Sequence, residues 1–271
     1  MNQEDTFRLW TQDLWLLARE QEKEVAAEYK DYFQIHFSDI RAIRDETEAI
    51  LEYLQIIPWC GHVLDWGCGP SLPGIVIRRF RPDLNITLAN FDASNQKYDI
   101  LWKAYNLNKC VVPLKHYSIL PFKDKMFDAV ISKGTLEHVP MESESLSEVF
   151  RVLKHYGLFI ATALPSKYSM LELFNRTVHR PHHIRLYTLK DTQKKFLSHG
   201  LHPIWNGYRA TTPRAALFLQ PIFKVLEQLP LIRHTTQQLT VIGMKSEYGI
   251  GIEYDFQRHN IRKTIDRLKI S

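Results

Sequence analysis

The sequence predicts an α/β fold, in which a mostly parallel sheet is covered by helices on both faces. Short apolar runs of strand length alternate with segments of helical periodicity between residues 62 and 244. This alternation is typical of parallel strands joined by crossover helices. The first run ends in an acid, Asp65, and leads through a glycine-rich turn into a helical pattern at Ile75. Open α/β sheets bind nucleotide-like ligands at such turns.

The composition is that of a globular protein in a reducing compartment. The chain has 271 residues, 45% of them hydrophobic, which allows a sizeable core. Its net charge of +5 is spread along the chain, without the long Lys/Arg run that would favour nucleic acid. The N-terminus is acidic and lacks an apolar signal core, and the sequence has no apolar run of about 18 residues. We therefore expect a cytoplasmic protein without a transmembrane segment.

Two helical patterns precede the first strand and predict an N-terminal helical cap over residues 1–58. Aromatic and leucine residues recur at helical spacing in residues 5–35, and a second pattern runs from Ile40 to Leu54 and stops at Pro58. We consider two compatible roles for this cap. It is a lid that lines a substrate pocket with aromatic side chains, or it is a pair of amphipathic helices that covers the sheet.

The main α/β domain is predicted over residues 59–245, and a polar tail follows over residues 246–271. An apolar helix inserted at residues 214–229 is expected to cover the sheet or the mouth of the site, with peripheral membrane contact as the alternative. The predicted strands are residues 62–65, 85–91, 110–114, 127–132, 157–163, 201–208 and 239–244, and the predicted helices are residues 75–80, 95–107, 142–153, 188–199 and, in the tail, 254–269.

The turn after the first strand favours a cationic ligand over a dinucleotide. A dinucleotide-binding turn requires three glycines as G-x-G-x-x-G, and the third position is Leu72 here. Asp65 would repel a diphosphate but suits the ammonium group of an amino acid. Asp92 closes the second strand, where an acid accepts hydrogen bonds from a ribose diol. Together the two acids favour S-adenosylmethionine over a nicotinamide dinucleotide.

Three motifs resemble those of class I S-adenosylmethionine-dependent methyltransferases of the small-molecule type. Residues 63–69 (VLDWGCG) resemble the family's first motif, and residues 120–130 (LPFKDKMFDAV), continued by 136–139 (LEHV), are similar to its fourth-strand signature. Residues 150–159 (FRVLKHYGLF) resemble the helix and turn that lead into its fifth strand. The resemblance covers roughly residues 60–165. It implies a Rossmann-like, seven-stranded, mostly parallel sheet whose last strand is antiparallel.

The resemblance also implies which residues bind the cofactor, S-adenosyl-L-methionine. The methionine part lies against the turn after the first strand, the ribose at the end of the second strand and the adenine just before Leu120. The sequence departs from the family twice. A third turn glycine is replaced by Ser71, and the acid that accepts from the adenine amino group is replaced by a histidine or a tyrosine. The implied cofactor-binding residues are Asp65, Trp66, Gly67, Cys68, Gly69, Asp92, Ala93, His116, Tyr117 and Lys133.

Three histidines are candidates for a general base. His138 follows the fourth strand, and His182 and His183 lie in the loop after the fifth strand, from which acceptor-binding residues usually come in this family. A histidine that titrates near neutrality can take a proton from the acceptor. For His138 a structural role is the alternative, because Leu-Glu-His belongs to the shared signature. The residues predicted to line the substrate site are Tyr168, Arg185 and Tyr187.

The three cysteines are predicted to be structural. Cys68 lies in the cofactor turn, where a small residue that fills a tight turn is favoured over a nucleophile. Cys60 and Cys110 are expected in the core. Because the cysteines lack metal-ligand spacing, we expect no metal.

The acceptor is predicted to be a small molecule. The fourth strand is followed by Ser-Lys-Gly-Thr, residues 132–135, and by neither an Asn-Pro-Pro-Tyr-like motif nor a Pro-Cys pair. Within the family this argues against the exocyclic amines of bases, glutamine amides and cytosine C5. The aromatic cap and the apolar segment 214–229 favour an acceptor with apolar parts, and O-methylation is the expected reaction. Two alternatives remain: a cofactor-binding scaffold or regulator without catalysis, and a nucleic-acid methyltransferase that uses a basic tail.

Overall fold

All seven predicted strands are present, and they belong to one mixed sheet. The computed structural model describes residues 3–25, 30, 33, 37, 39–91, 98–116, 118–169, 172, 176–177, 183, 185–209 and 238–246. The chain divides into two units, Met1–Leu114 and Lys115–Ser271, which we describe in turn.

The first unit supplies three strands and the second supplies four. The first contains α1 (Gln3–Glu24), α2 (Ile40–Leu54), β1 (His62–Trp66), α3 (Leu72–Phe80), β2 (Asn85–Asn90), α4 (Asp99–Ala104), a 3₁₀ turn (Asn108–Cys110) and β3 (Val111–Pro113). The second contains β4 (Phe127–Lys133), α5 (Glu142–Val152), β5 (Leu153–Pro165), α6 (Leu189–Ser198), β6 (Leu201–Arg209) and β7 (Gln238–Lys245).

In the first unit, β1 pairs in parallel with β2, and β2 pairs in parallel with β3. The side chains of Val63, Leu64 and Trp66 on β1 are fully buried. A strand with both faces covered by helices is expected to be this continuously apolar. Asp65, which lies opposite Leu88 of β2, is the one acid in this buried run.

The N-terminal helices of the first unit pack as amphipathic helices. Helix α2 buries Ile43, Thr47, Ile50 and Leu54, which recur at helical spacing on one face. Helix α1 contacts α2 and α4, and α2 contacts α3. These contacts join the two N-terminal helices to each other and to α3 and α4, and both the role of the helical cap and its boundary at residue 58 stay predictions.

One side chain of α1 caps the start of α4. The amide oxygen of Gln21 accepts hydrogen bonds from the backbone N–H groups of Ile100 at 2.7 Å and Leu101 at 3.3 Å. Gln21 is almost fully buried, and Tyr98, at the N-cap position of α4, makes no capping hydrogen bond with its side chain. The first N–H groups of a helix need such partners, so α1 replaces the missing local cap.

In the second unit, β4 and β5 are parallel, and β7 runs antiparallel to both β5 and β6. The order of these four strands is β4-β5-β7-β6. The expectation of a final antiparallel strand is therefore confirmed. The buried ammonium group of Lys245, on that strand, donates to the carbonyl groups of Phe150 at 2.7 Å and Leu153 at 2.9 Å, and so stabilises the junction of α5 and β5.

The structure differs from the sequence predictions at several places. The helix predicted over residues 95–107 is described only from Asp99 and ends at Ala104. Helix α3 begins at Leu72, three residues before the predicted Ile75, because Ser71 caps it. Strand β5 extends from Leu153 to Pro165 and exceeds the predicted residues 157–163. Cys60 is exposed and Cys110 is half-buried, so the expectation that both lie in the core was wrong. Cys60 lies in the connection between α2 and β1, and Cys110 ends the short 3₁₀ turn that precedes β3.

The apolar segment 214–229 and residues 247–271 lie outside the described residues. Among the residues that are described, no helix is long and apolar enough to cross a membrane.

Candidate functional site

The turn after β1 is shaped by two glycines with left-handed backbone conformations. Gly67 has φ 70° and Gly69 has φ 50°, a region that L-residues other than glycine seldom adopt. The N–H groups of Gly67 and Cys68 donate to the carbonyl group of Ala89 on β2, at 2.8 and 3.2 Å. The turn is therefore fixed against the end of β2, and its glycines leave backbone accessible to a ligand.

Ser71 is the residue that fixes Asp65. Its hydroxyl group donates to Oδ2 of Asp65 at 2.6 Å and accepts from the N–H group of Gly74 at 3.1 Å. Ser71 has φ 61° and ψ 60°, so it takes up the left-handed conformation that a glycine would adopt with less strain. A glycine here would provide neither hydrogen bond. Serine at this position therefore costs some backbone strain, but its hydroxyl group links Asp65 of β1 to the start of α3.

Three side chains of this turn face the interior. Asp65 is 1% exposed and Trp66 is fully buried, and Cys68 is 6% exposed. Burial, together with the nearby charge of Asp65, raises the pKa of the Cys68 thiol well above its usual value. The thiol stays protonated, as expected of a residue that fills a tight turn. Trp66 and Cys68 can therefore contact a ligand mainly through their backbone.

The turn fits the methionine part of the expected cofactor. Positive φ at Gly67 and Gly69 opens the backbone to a ligand, and Asp65 supplies a negative charge at the base of the turn. Among the other expected cofactor residues, His116 is exposed and Lys133 is partly buried at the end of β4. Asp92, Ala93 and Tyr117 lie outside the described residues.

The second candidate region is the turn after β4, which carries Glu137 and His138. The N–H group of His138 donates to the carbonyl group of Thr135 at 2.9 Å and closes the turn. Arg185, which was predicted to line the substrate site, donates from Nη1 to the carbonyl groups of Leu136 and Val139, both at 2.9 Å. Arg185 therefore fixes this turn from a segment 46 to 49 residues away in sequence.

Glu137 is a buried acid with an unsatisfied oxygen. It is 5% exposed, and its Oε2 has no hydrogen-bond partner among the described residues. Burial raises the pKa of Glu137 to about 7, against smaller opposing effects that include the charges of His183 and Lys133. A carboxyl group with this environment is typical of a functional site.

His183 lies beside His138 and is held by an acid. The two imidazole rings are 5.9 Å apart, centroid to centroid. Nδ1 of His183 donates to Oε1 of Glu172 at 2.8 Å, and its backbone N–H donates to Oε2 of the same carboxylate at 3.2 Å. Partial burial lowers the pKa of His138, and so does the positive charge of Arg185 and of His183 in its protonated form. The structure thus brings together two of the three predicted histidines, and His182 lies outside the described residues.

The other predicted lining residues have different surroundings. Tyr187 is 4% exposed and donates its hydroxyl group to Oε1 of Glu142 at 2.9 Å. Burial and the charge of Glu142 raise the pKa of this phenol, so it remains a donor. Glu142 also contacts Nζ of Lys195 and lies 3.7 Å from Nε of Arg185. Tyr168 is 56% exposed, and its lining role stays a prediction.

Comparison with known proteins supports the methyltransferase resemblance. Residues 64–161 match a family model described as "Methyltransferase domain". The 24-methylenesterol C-methyltransferase 2 of Oryza sativa subsp. japonica is 31% identical over 123 residues, which are 44% of this chain and 33% of that protein. The sterol 24-C-methyltransferase of Candida albicans is 33% identical over 98 residues, 36% of this chain and 26% of that protein. The matched part thus spans a third or less of these curated relatives.

A solved structure shares the fold. The geranyl diphosphate C-methyltransferase of Streptomyces coelicolor A3(2), in complex with Mg²⁺, geranyl-S-thiolodiphosphate and S-adenosyl-L-homocysteine, superposes with a TM-score of 0.53 at 16% identity. The superposition covers 80% of this chain and 81% of the other. At such identity the likeness concerns the fold alone.

Proposed function

We propose that this chain, which carries a class I S-adenosylmethionine-dependent methyltransferase domain over residues 64–161, methylates a partly apolar small molecule. The cofactor is S-adenosyl-L-methionine. The observation that carries the proposal is the β1–turn–α3 unit inside the matched domain, where two left-handed glycines lie beside a buried acid fixed by Ser71.

The chemistry requires orientation more than covalent catalysis. S-adenosylmethionine supplies an electrophilic methyl group when it is bound. The chain must then align the acceptor with that methyl group and exclude water, which can account for much of the rate. We assign Asp65, Gly67 and Gly69 to the methionine part and, from the family resemblance, Asp92 to the ribose hydroxyls.

Carbon is the acceptor atom that the relatives favour. Both curated relatives are named as sterol C-methyltransferases, whereas the sequence alone led us to expect transfer to oxygen. We therefore propose transfer to a carbon of an apolar acceptor, with an oxygen as the alternative. When an alkene carbon takes the methyl group from the sulfonium, S-adenosylhomocysteine leaves and the acceptor becomes a carbocation, which must lose a proton; a hydroxyl acceptor also loses its proton. Either reaction calls for a base, for which His138 and His183 are our candidates.

The test uses the full chain with methyl-labelled cofactor. Purified protein is incubated with apolar alkenes, among them squalene and a sterol, and with matched alcohols. We expect a product that gains CH₂ by mass spectrometry, and the new methyl group is located on carbon or oxygen by NMR. Asp65→Asn should abolish cofactor binding in calorimetry, whereas the matched acid-to-amide variant Glu52→Gln, on the exposed face of α2, should bind normally.

Two results would count against the proposal. If the parent protein binds no S-adenosylmethionine, both the cofactor assignment and the catalytic proposal fail. If it binds the cofactor but methylates none of the acceptors offered, the scaffold alternative gains support. That alternative drew on the replacement of a turn glycine by Ser71, and the hydrogen bond from Ser71 to Asp65 weakens it. Salt-dependent RNA binding that requires residues 246–271 would favour the nucleic-acid alternative.

A further inference from the structure

We propose that Glu137, His138 and His183 bind a divalent transition-metal ion, for which Zn²⁺ is the natural probe. One ligand atom from each residue, a carboxylate oxygen or an imidazole nitrogen, lies within 4.8 Å of the other two. We call these three residues the Glu–His–His cluster. All three belong to the second unit of the chain, so the site depends on that unit alone. It goes beyond the proposed methyl transfer, which needs no metal, and His138 and His183 can serve as the base of that reaction only while no ion is bound to them.

The unsatisfied oxygen of Glu137 is suited to a bound cation. A buried polar atom without a hydrogen bond costs free energy, and buried polar atoms are therefore nearly always paired. Glu137 is 5% exposed, and its Oε2 has no partner among the residues described in this part of the chain. Buried carboxylates are generally paired with a cation or coordinate a metal. A bound cation would supply the interaction that Oε2 lacks.

His183 is oriented as a metal-binding histidine would be. Its Nδ1 donates to Oε1 of Glu172, at 2.8 Å, which leaves Nε2 free to present a lone pair. Metal-ligating histidines usually donate their second nitrogen to a carboxylate in this way, and that carboxylate fixes the ring and increases its basicity. Glu172 is itself 6% exposed and also accepts from the backbone of His183, so the orientation is held at two points.

The other two ligands lie on a fixed turn. Arg185 donates to the carbonyl groups of Leu136 and Val139, which flank Glu137 and His138 on both sides. A site whose ligands are held by such supporting contacts loses little entropy when it binds an ion. The positive charge of Arg185 opposes a cation, but Glu142, 3.7 Å from its Nε, offsets that charge.

The donor set selects the class of metal. Two imidazole nitrogens and one carboxylate suit Zn²⁺ and other first-row divalent ions, whereas Mg²⁺ and Ca²⁺ prefer oxygen donors. Zn–N bonds are about 2.0–2.1 Å, so donor atoms on one tetrahedral ion lie about 3.3 Å apart. The donor atoms, which lie within 4.8 Å of one another, must therefore move closer together when an ion binds, and the exposed side chain of His138 has room to move. Three protein ligands leave a fourth position for water or a ligand oxygen.

The first test measures metal binding directly in the full-length protein. The chain is treated with a chelator, titrated with Co²⁺ and followed by absorption spectroscopy, and Zn²⁺ affinity is then measured by competition with a chromophoric chelator. We expect one equivalent of Co²⁺ with the intense visible bands of tetrahedral coordination, displaced by Zn²⁺. Absence of such bands, with Zn²⁺ binding no tighter than about 100 μM, would overturn the proposal.

Variants then assign the ligands. Glu137→Gln and His183→Gln should each weaken Zn²⁺ binding by at least about tenfold, and Glu172→Gln by about 10- to 100-fold through loss of orientation. His202→Gln, a histidine of β6 outside the cluster, is the matched control and should bind as the parent does. Circular dichroism checks that each variant folds, and Glu137→Gln preserves shape. Equal affinity in the Glu137→Gln, His183→Gln double variant and the parent would show that the ion binds elsewhere.

Discussion

The turn after β1 and the turn after β4 differ in how the buried carboxyl group beside each of them is hydrogen-bonded. A buried acid lies at each turn: Asp65 on β1, just before the first turn, and Glu137 within the second. Asp65 receives a hydrogen bond from Ser71, so its position is set by the chain itself. Glu137 keeps an oxygen without a partner among the described residues, although Arg185 fixes the backbone around it. The first turn is complete without a ligand, and the second leaves one interaction to be supplied from outside.

Removal of the Ser71 hydroxyl should have the largest effect on stability. Ser71→Ala leaves the buried carboxylate of Asp65 without that donor and removes the cap of α3, so we expect a loss of about 2–4 kcal/mol in the free energy of unfolding. Ser71→Gly loses the same bonds but relieves the left-handed backbone, and should cost about 1 kcal/mol less. Urea denaturation measures both. A loss in Ser71→Ala below about 0.5 kcal/mol would mean that the bridge does not hold the turn.

Loss of the Arg185 clamp should come second. Arg185→Met removes two hydrogen bonds to carbonyl groups of the turn after β4, at a cost of about 1–3 kcal/mol in the free energy of unfolding. Arg8→Met, which removes an exposed arginine of α1 beside Asp5, is the matched control and should cost less than about 0.5 kcal/mol. Thermal and urea denaturation test the difference between the two variants. Equal stability of both would contradict the clamp.

Glu137→Gln should have little effect on stability in chelator-treated protein. The oxygen that is changed makes no hydrogen bond to a described residue, so the unfolding free energy should stay within about 0.5 kcal/mol of the parent or rise. The same urea series measures it beside Ser71→Ala. A loss as large as that of Ser71→Ala would reveal a partner for Glu137 and remove the contrast between the two turns.

Thiol labelling of the folded protein should show whether the turn after β1 keeps Cys68 inaccessible to reagents. Cys68 is buried and its pKa is raised, whereas Cys60 is exposed. With iodoacetamide at a pH of about 8, we expect Cys60 to be labelled at least about tenfold faster, as followed by peptide mass spectrometry. Ser71→Ala should accelerate the labelling of Cys68 alone. Comparable rates at both cysteines in the parent would indicate that the turn opens freely.

Sequence patterns were sufficient for the elements that bury one face. The strands and the amphipathic helix α2 follow from periodicity, because burial requires apolar residues at fixed spacing. The start of α3 could also have been predicted, since serine followed by leucine and proline is a helix N-terminus signal. The predicted start was Ile75, because residues 72–74 were assigned to the glycine-rich turn.

Long-range polar contacts could not be predicted in the same way. The hydrogen bond between Glu172 and His183 joins residues that are 11 apart in sequence, and no periodicity marks it. Arg185 was recognised as a candidate residue, but its contact with Leu136 depends on how a distant loop returns to β4. Glu137 adjoins a predicted site residue, His138, but no sequence pattern shows that its carboxyl group is buried and lacks a partner among the described residues.

The amide of Gln21 has a consequence for any attempt to shorten the protein. Its oxygen satisfies two N–H groups at the start of α4, which has no side-chain cap of its own. A chain that begins at residue 39 would expose those groups and the apolar surface under α1. We expect such a truncated protein to be recovered mainly in inclusion bodies, and a glutamine-to-alanine change at this one position to reproduce part of that defect. The first helix is therefore a part of the folding unit and not a detachable appendage.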